Sequence, residues 1–259
     1  MHSSNRRTVA LVGALAITFG AAACSKQDPA PTTPSTGGTS TSAGASPTDT
    51  PSSDAPTDNA DAPAASDLLE KVKTQTDSAT SGAFKGDVTQ NGKKMTLEFV
   101  GTSDGKVADV TLEMEGEGTV RIISVGGSAY MQADKTFWKA QGAPAKVQAA
   151  GDKFVKAPGD SADLTKSLNL KSFLDEAFGA VKASELSEKV GSETVNGVDC
   201  WVLVDKGGAT KGALYVSKDK NELVRFTGSP ASPGSIDFSK WNETPDVKAP
   251  EASQIIAIN

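Results

Sequence analysis

Catalysis by side chains leans on histidine, activated cysteine or serine, and paired carboxylates, and this chain is poor in such arrangements. Its one histidine is His2, and its two cysteines are Cys24 and Cys200. A Ser-His-Asp or Cys-His pair needs an imidazole as base, and position 2 supplies the only one. A histidine-containing zinc site is excluded on the same count. Ser-x-x-Lys occurs twice, at Ser103 with Lys106 and at Ser217 with Lys220. An acyl-transfer enzyme needs that motif at the start of a helix together with companion motifs, whereas both copies here fall in turn-like stretches. Gly126-Gly127 and Gly207-Gly208 lack the Lys-Ser/Thr that completes a phosphate loop. Asp and Glu scatter through turns, which suits solvated charge better than a glycosidase pair. The expectation is no catalytic residue, no metal site, no cofactor and no enzyme activity.

Cys24 is different, because of what precedes it. Arg6 and Arg7 carry positive charge, residues 9–19 are uncharged and mostly apolar, and Gly20-Ala21-Ala22-Ala23-Cys24 follows. Charge, apolar core and small residues at a cut make a signal peptide over residues 1–23. The run is shorter than the roughly 20 residues a spanning helix needs. The segment resembles a bacterial lipobox, with Ala21 where Leu or Val is commoner. Cys24 is then the lipid attachment site, carrying a thioether-linked diacylglyceryl group and palmitate-type acyl chains. Two or three chains hold a protein durably where one does not. The other reading is plain Ala-x-Ala cleavage, which leaves a free secreted protein. With Cys24 acylated, Cys200 has no disulfide partner. It lies in Val198-Asp199-Cys200-Trp201-Val202-Leu203-Val204, whose alternation puts Val198, Cys200, Val202 and Val204 on one strand face as small buried side chains.

Residues 24–65 comprise the lipidated cysteine and a linker dominated by Ser, Thr, Pro, Ala, Gly and Asp. Without branched aliphatic or aromatic residues such a segment cannot offset its ordering entropy, so a disordered stalk is expected. As a random coil it reaches on the order of 35 Å from the anchor. Residues 66–259 remain as one domain, long enough to bury a core. Removing residues 1–23 takes two of the 26 basic residues and no acidic one, leaving 24 against 32 and a formal charge of −8. That balance argues against nucleic acid as a partner.

Within the domain, Asp67 and Glu70 have the spacing of an N-cap and its N3 partner, opening a helix with Leu69, Val72, Thr76 and Ala79 inward. Strands follow in succession. Phe84-x-Gly86-x-Val88 leads through Asn91-Gly92 to Met95-x-Leu97-x-Phe99, and Asn-Gly is the strongest short hairpin signal. Turns at residues 103–106, 115–118 and 126–127 separate Val110-x-Leu112-x-Met114, Val120-x-Ile122 and Ala129-Tyr130-Met131. The alternation predicts one covered and one wet face. After Asn169 the period changes, and Leu170, Phe173, Leu174, Ala177, Phe178 and Val181 form the stripe of an amphipathic helix, with Leu164 and Leu168 marking a shorter turn ahead of it. Strands resume at 189–195 and 200–204, either side of Asn196-Gly197, and at 213–216 and 223–226. The fold class is α+β: a large antiparallel sheet with a few helices over its apolar face.

Several motifs in this domain resemble the LppX/LprG family of actinobacterial lipoproteins. They are Gly212-Ala213-Leu214-Tyr215-Val216, Asn221-Glu222-Leu223-Val224-Arg225, Ile236-Asp237-Phe238-Ser239-Lys240-Trp241-Asn242 and Val247-Lys248-Ala249-Pro250. The lipobox, Ser81-Gly82-Ala83-Phe84, Tyr130 and Phe137-Trp138 support them. The resemblance implies a curved half-barrel sheet over helices on its concave face, similar to LolA-type carriers. It also implies an acyl lipid or glycolipid as ligand, transfer of that lipid in the cell envelope, attachment to the extracytoplasmic face of the cell membrane, and an envelope transporter as partner. The alternative is a surface protein-interaction or sensor module with a closed core.

Phe84, Leu97, Phe99, Val110, Leu112, Phe173, Leu174 and Phe178 are the candidates to line a lipid cavity, and the same side chains fit an ordinary core. Tyr130 and Trp138 suit a cavity rim or simple cap packing, and Trp241 packs the tail onto the domain.

Overall fold

The computed structural model describes residues 61–90, 92–157, 169–179 and 181–256. The expected signal peptide, Cys24 and most of the linker fall outside these, as do Leu164, Leu168 and the side chains of Ala177 and Phe178.

Helix α1 (Ala65–Ser78) opens the fold. It starts ahead of the Asp67/Glu70 box, with Ala64 at the cap and no capping side chain. The buried stripe Ala65, Leu68, Leu69, Val72 and Thr76 explains why, since burying Ala65 and Leu68 draws in another turn. Five strands then run as a meander: β1 (Ser81–Gln90), β2 (Lys93–Thr102), β3 (Ala108–Met114), β4 (Gly118–Val125) and β5 (Ser128–Ala133). Two short helices follow, α2 (Lys135–Ala140) and α3 (Ala145–Gln148), then β6 (Phe154–Lys156) and α4 (Leu170–Gly179). A second meander comprises β7 (Leu186–Val195), β8 (Val198–Asp205), β9 (Ala213–Ser217), β10 (Leu223–Thr227) and β11 (Gly234–Ser239), and β12 (Ile255–Ile256) comes last.

All twelve strands form one sheet in the order β12-β6-β5-β4-β3-β2-β1-β11-β10-β9-β8-β7. The two meanders meet where β1 pairs antiparallel with β11, Phe84 opposite Phe238. Pairing is antiparallel throughout except between β6 and β12. The α+β class, with one large open sheet and few helices, is thus the one observed.

Helices cover the inner face in two patches. Around α1 and α4, a large cluster joins Leu68, Leu69, Val72, Leu170 and Leu174 to Phe84, Phe99, Leu203, Leu214, Phe226 and Ile236. Around α2 and α3, a smaller one joins Phe137, Trp138 and Val147 to Val120, Ile122, Ala133 and Val155. Helices α2 and α3, six and four residues long, are too short to carry a periodic signal. Neither Ser-x-x-Lys copy opens a helix: Ser103 to Lys106 lie in a turn, and Ser217 ends β9 with Lys220 in the turn after it.

The outer face has its own buried patches. Val202 and Val204 pack with Ala213, and Cys200 with Val195 and Val224. Cys200 is a free, fully buried thiol, and burial pushes its pKa up to about 11. Tyr130 also faces outward, with Ile123 and Phe154, and the tail reaches this patch through Val247 and Ile255.

Candidate apolar binding face

Seven of the eight cavity candidates come together. Phe84, Leu97, Phe99, Val110 and Leu174 are buried in the large cluster, and Leu112 and Phe173 pack against it while remaining partly accessible. The side chain of Phe178 lies outside what is described. Cross-strand register places Phe84 opposite Phe99 and Leu97 opposite Leu112, all on the inward face. The rings of Phe84 and Phe99 stack at 5.0 Å, and Phe173 from α4 lies on Phe84 at 4.0 Å. Phe238 joins this stack, and Trp241 stacks on Phe238 at 5.9 Å while its indole donates to the Leu223 carbonyl. Trp241 therefore pins the tail to the domain.

Between the two helix-covered patches runs a strip with thinner cover. Leu112 packs against both clusters and keeps part of its side chain accessible. Met95 and Met114, opposite one another on β2 and β3, are partly accessible too. So are Phe173 on the α4 side and Met131 on the α2 side. Flexible, polarizable methionines adapt to irregular apolar partners. The sequence reading placed Met95 and Met114 on the right strand face without marking them as binding candidates. Their alternation with Leu97 and Leu112 was the available signal.

The α2 side of the strip is fixed by Asp134. Its carboxylate caps α2 by accepting from the Phe137 amide at 2.8 Å, and it accepts from the Thr119 amide on β4 at 2.8 Å. Gly118 makes room for it, because a Cβ there would collide with the Asp134 carboxylate, and its φ of +94° suits glycine. One side chain thus sets α2 against β4 and directs Phe137 and Trp138 inward. Trp138 is 7% exposed, and its indole nitrogen is buried without a hydrogen-bond partner among the described residues.

A concavity of about 690 Å³ lies around the β1–β11 junction. Its lining includes the outward Lys85, Glu98, Asp237 and Ser239 and also the inward Phe84, Phe99, Phe238 and Trp241. Some of its charged side chains are paired. Lys85 pairs with Glu98 at 3.3 Å, and Asp237 accepts a two-point contact from Arg225 and a bond from Asn196 at 3.1 Å. Burial alone would raise the Asp237 pKa, but the Arg225 and Asn196 hydrogen bonds bring it below the usual carboxylate value. This groove mixes charged and apolar side chains, whereas the strip presents Met95, Leu112, Met114, Met131 and Phe173, a surface better matched to an acyl chain.

No protein-family model matches the chain, and no curated protein matches it in sequence. Among solved structures it is similar to the Mycobacterium tuberculosis lipoprotein LppX, at 13% identity over 71% of this chain and 98% of that one, with a TM-score of 0.43. It is also similar to LprF from Mycobacterium bovis, at 12% identity over 76% of this chain and 99% of that one, with a TM-score of 0.48. The likeness is one of fold. Among the described residues, no helix is long and apolar enough to cross a membrane.

Proposed function

We propose that this chain is a membrane-anchored, extracytoplasmic lipoprotein that binds an acyl lipid or glycolipid and transfers it within the cell envelope without enzymatic chemistry. Cys24 is the anchor, and the Ser/Thr/Pro/Ala-rich linker between it and α1 is the tether. The observation that carries the ligand reading is the strip of partly accessible Met95, Leu112, Met114, Met131 and Phe173 between two helix-covered patches. Contiguous apolar side chains left accessible on the inner face of a sheet are a surface that hydrocarbon covers well. Binding an acyl chain there needs an apolar cleft with few polar groups and no catalytic residue.

The other reading, a protein-interaction module with a closed core, draws on the tight burial of Phe84, Phe99 and Leu174, each 5% exposed or less. Native mass spectrometry separates the two. The mature chain carrying Cys24→Ser is secreted from a mycobacterial-type host, and its mass is compared with an organic extract of the same sample. A stoichiometric co-purifying acyl lipid is expected. An apo mass that persists after adding diacyl and triacyl lipids would remove the carrier reading and favour the closed module.

A further inference from the structure

Trp138 carries a buried indole N–H that has no acceptor among the described residues. The residue sits on α2, whose position is fixed at its first turn by Asp134 bridging the Phe137 and Thr119 amides. Its ring packs edge-on to Phe137 at 5.7 Å within the cluster of Val120, Ile122, Ala133, Val147 and Val155. Leu112, Met114 and Met131, the partly accessible members of the strip, pack against that same cluster. By contrast, Trp241, at the other end of the inner face, donates its indole N–H to the Leu223 carbonyl. Buried donors in folded proteins are nearly always paired, and one left unpaired asks for an explanation. A phenylalanine would fill most of the same apolar space without burying a donor.

We infer that Trp138 is a specificity-determining residue whose indole N–H donates to a carbonyl oxygen of the bound acyl lipid, selecting ester-linked chains over ether-linked or plain hydrocarbon ones. This rests on the acyl-lipid reading above and adds to it the one polar contact in an otherwise apolar site. A site of this kind gains orientation from a few placed polar groups. A neutral ester fits better than a free fatty acid. An ionised carboxylate would have to leave water for a surround of Val, Ile, Leu, Met and Phe side chains, at far greater cost than an ester carbonyl. Long ester lipids carry their carbonyls at the head of the chain, so the same bond fixes how deep the hydrocarbon enters the strip.

The test is a competition on the full mature chain carrying Cys24→Ser, using 1,2-dipalmitoylglycerol against its 1,2-di-O-hexadecyl ether analogue, with bound species counted by native mass spectrometry. The wild-type side chain is expected to enrich the ester by about five- to tenfold, the size of one buried hydrogen bond. Trp138→Phe is expected to bring the ratio to about one. A second measurement needs no variant. In 15N-tryptophan-labelled protein the Trp138 indole resonance should move downfield with the ester and not with the ether, while Trp241, already bonded to Leu223, stays in place. Equal uptake of the two lipids by wild type, a ratio unchanged in Trp138→Phe, or an indole resonance indifferent to the ester would overturn the role of Trp138 and leave lipid binding standing. Uptake of neither lipid by wild type would overturn both.

Discussion

The ring of Phe173 lies on that of Phe84, centroids 4.0 Å apart and planes 16° from parallel, so helix α4 is seated on the central strand pair by an aromatic stack. Phe84 is itself stacked on Phe99 and faces Phe238 across the β1–β11 junction. Phe173→Ala should therefore loosen α4 at the place where the two meanders join. Full truncation of a buried phenylalanine costs about 3–5 kcal/mol, and Phe173 is only half-buried, so about 2 kcal/mol is expected. Thermal unfolding should show a midpoint lower by roughly 4–8 °C for a domain of this size. An unchanged midpoint would mean that α4 is held by Leu170 and Leu174 alone.

Asp134 is expected to matter beyond an ordinary helix cap. Loss of a capping side chain costs about 1 kcal/mol, and here the same carboxylate also serves the Thr119 amide. Asp134→Ala should cost about 1–2 kcal/mol and release α2 from β4. Amide hydrogen exchange should show faster exchange over residues 135–140 and at Thr119, with the β7–β11 meander unaffected. Exchange changed equally across the whole domain would contradict a local hinge at this carboxylate.

Cys200 should be chemically silent while the protein is folded. It is fully buried between β7, β9 and β10 side chains, and loss of solvation pushes its pKa up to about 11, so little thiolate exists at pH 8. Iodoacetamide at pH 8 is expected to leave it unmodified in the native Cys24→Ser chain and to alkylate it quickly in denaturant. Rapid native labelling would mean that this end of the sheet opens readily.

The Arg225–Asp237 pair gives a pH signature with a defined sign. Asp237 has a folded pKa below its unfolded value, so its contribution is fully present above about pH 4 and is lost as pH falls through the folded value. Both partners are about a third exposed, so screening holds the contribution to about 1 kcal/mol or less. The stability difference between wild type and Asp237→Asn should be full at pH 6 and shrink as pH falls below the ordinary carboxylate range. A difference constant across that range would show that charge plays no part in it.

Much of this architecture can be read from local chemistry, and the exceptions have physical causes. Asn196-Gly197 marks a hairpin because both residues adopt positive φ, 52° and 78°, which those types tolerate. The alternation of Phe84, Gly86 and Val88 with Met95, Leu97 and Phe99 assigns faces correctly, since one face is buried along its length. Helix α2 is too short for periodicity, and its only cue was Asp134 three residues before Phe137. Strands β6 and β12, three and two residues long, pair residues about a hundred apart in sequence, which no local pattern reports. Of the site, the aromatic and aliphatic floor was legible because burial follows hydrophobicity. The strip of accessible methionines was not, because it is defined by where helices α2 and α4 stop covering the sheet. The amphipathic ring of Trp138 suits a rim, whereas what distinguishes it is a buried N–H with no acceptor among the described residues, visible only in three dimensions.

Acyl chains are expected to occupy the inner strip. Photo-crosslinking with a diacyl lipid carrying a diazirine at the end of one chain tests this directly, with modified peptides mapped by mass spectrometry on the mature Cys24→Ser chain. Labelling is expected on β2, β3, β5 and α4 peptides containing Met95, Leu112, Met114, Met131 and Phe173, and should be competed by unlabelled lipid. Uncompeted labelling, or labelling confined to the groove around Lys85, Glu98 and Asp237, would contradict it.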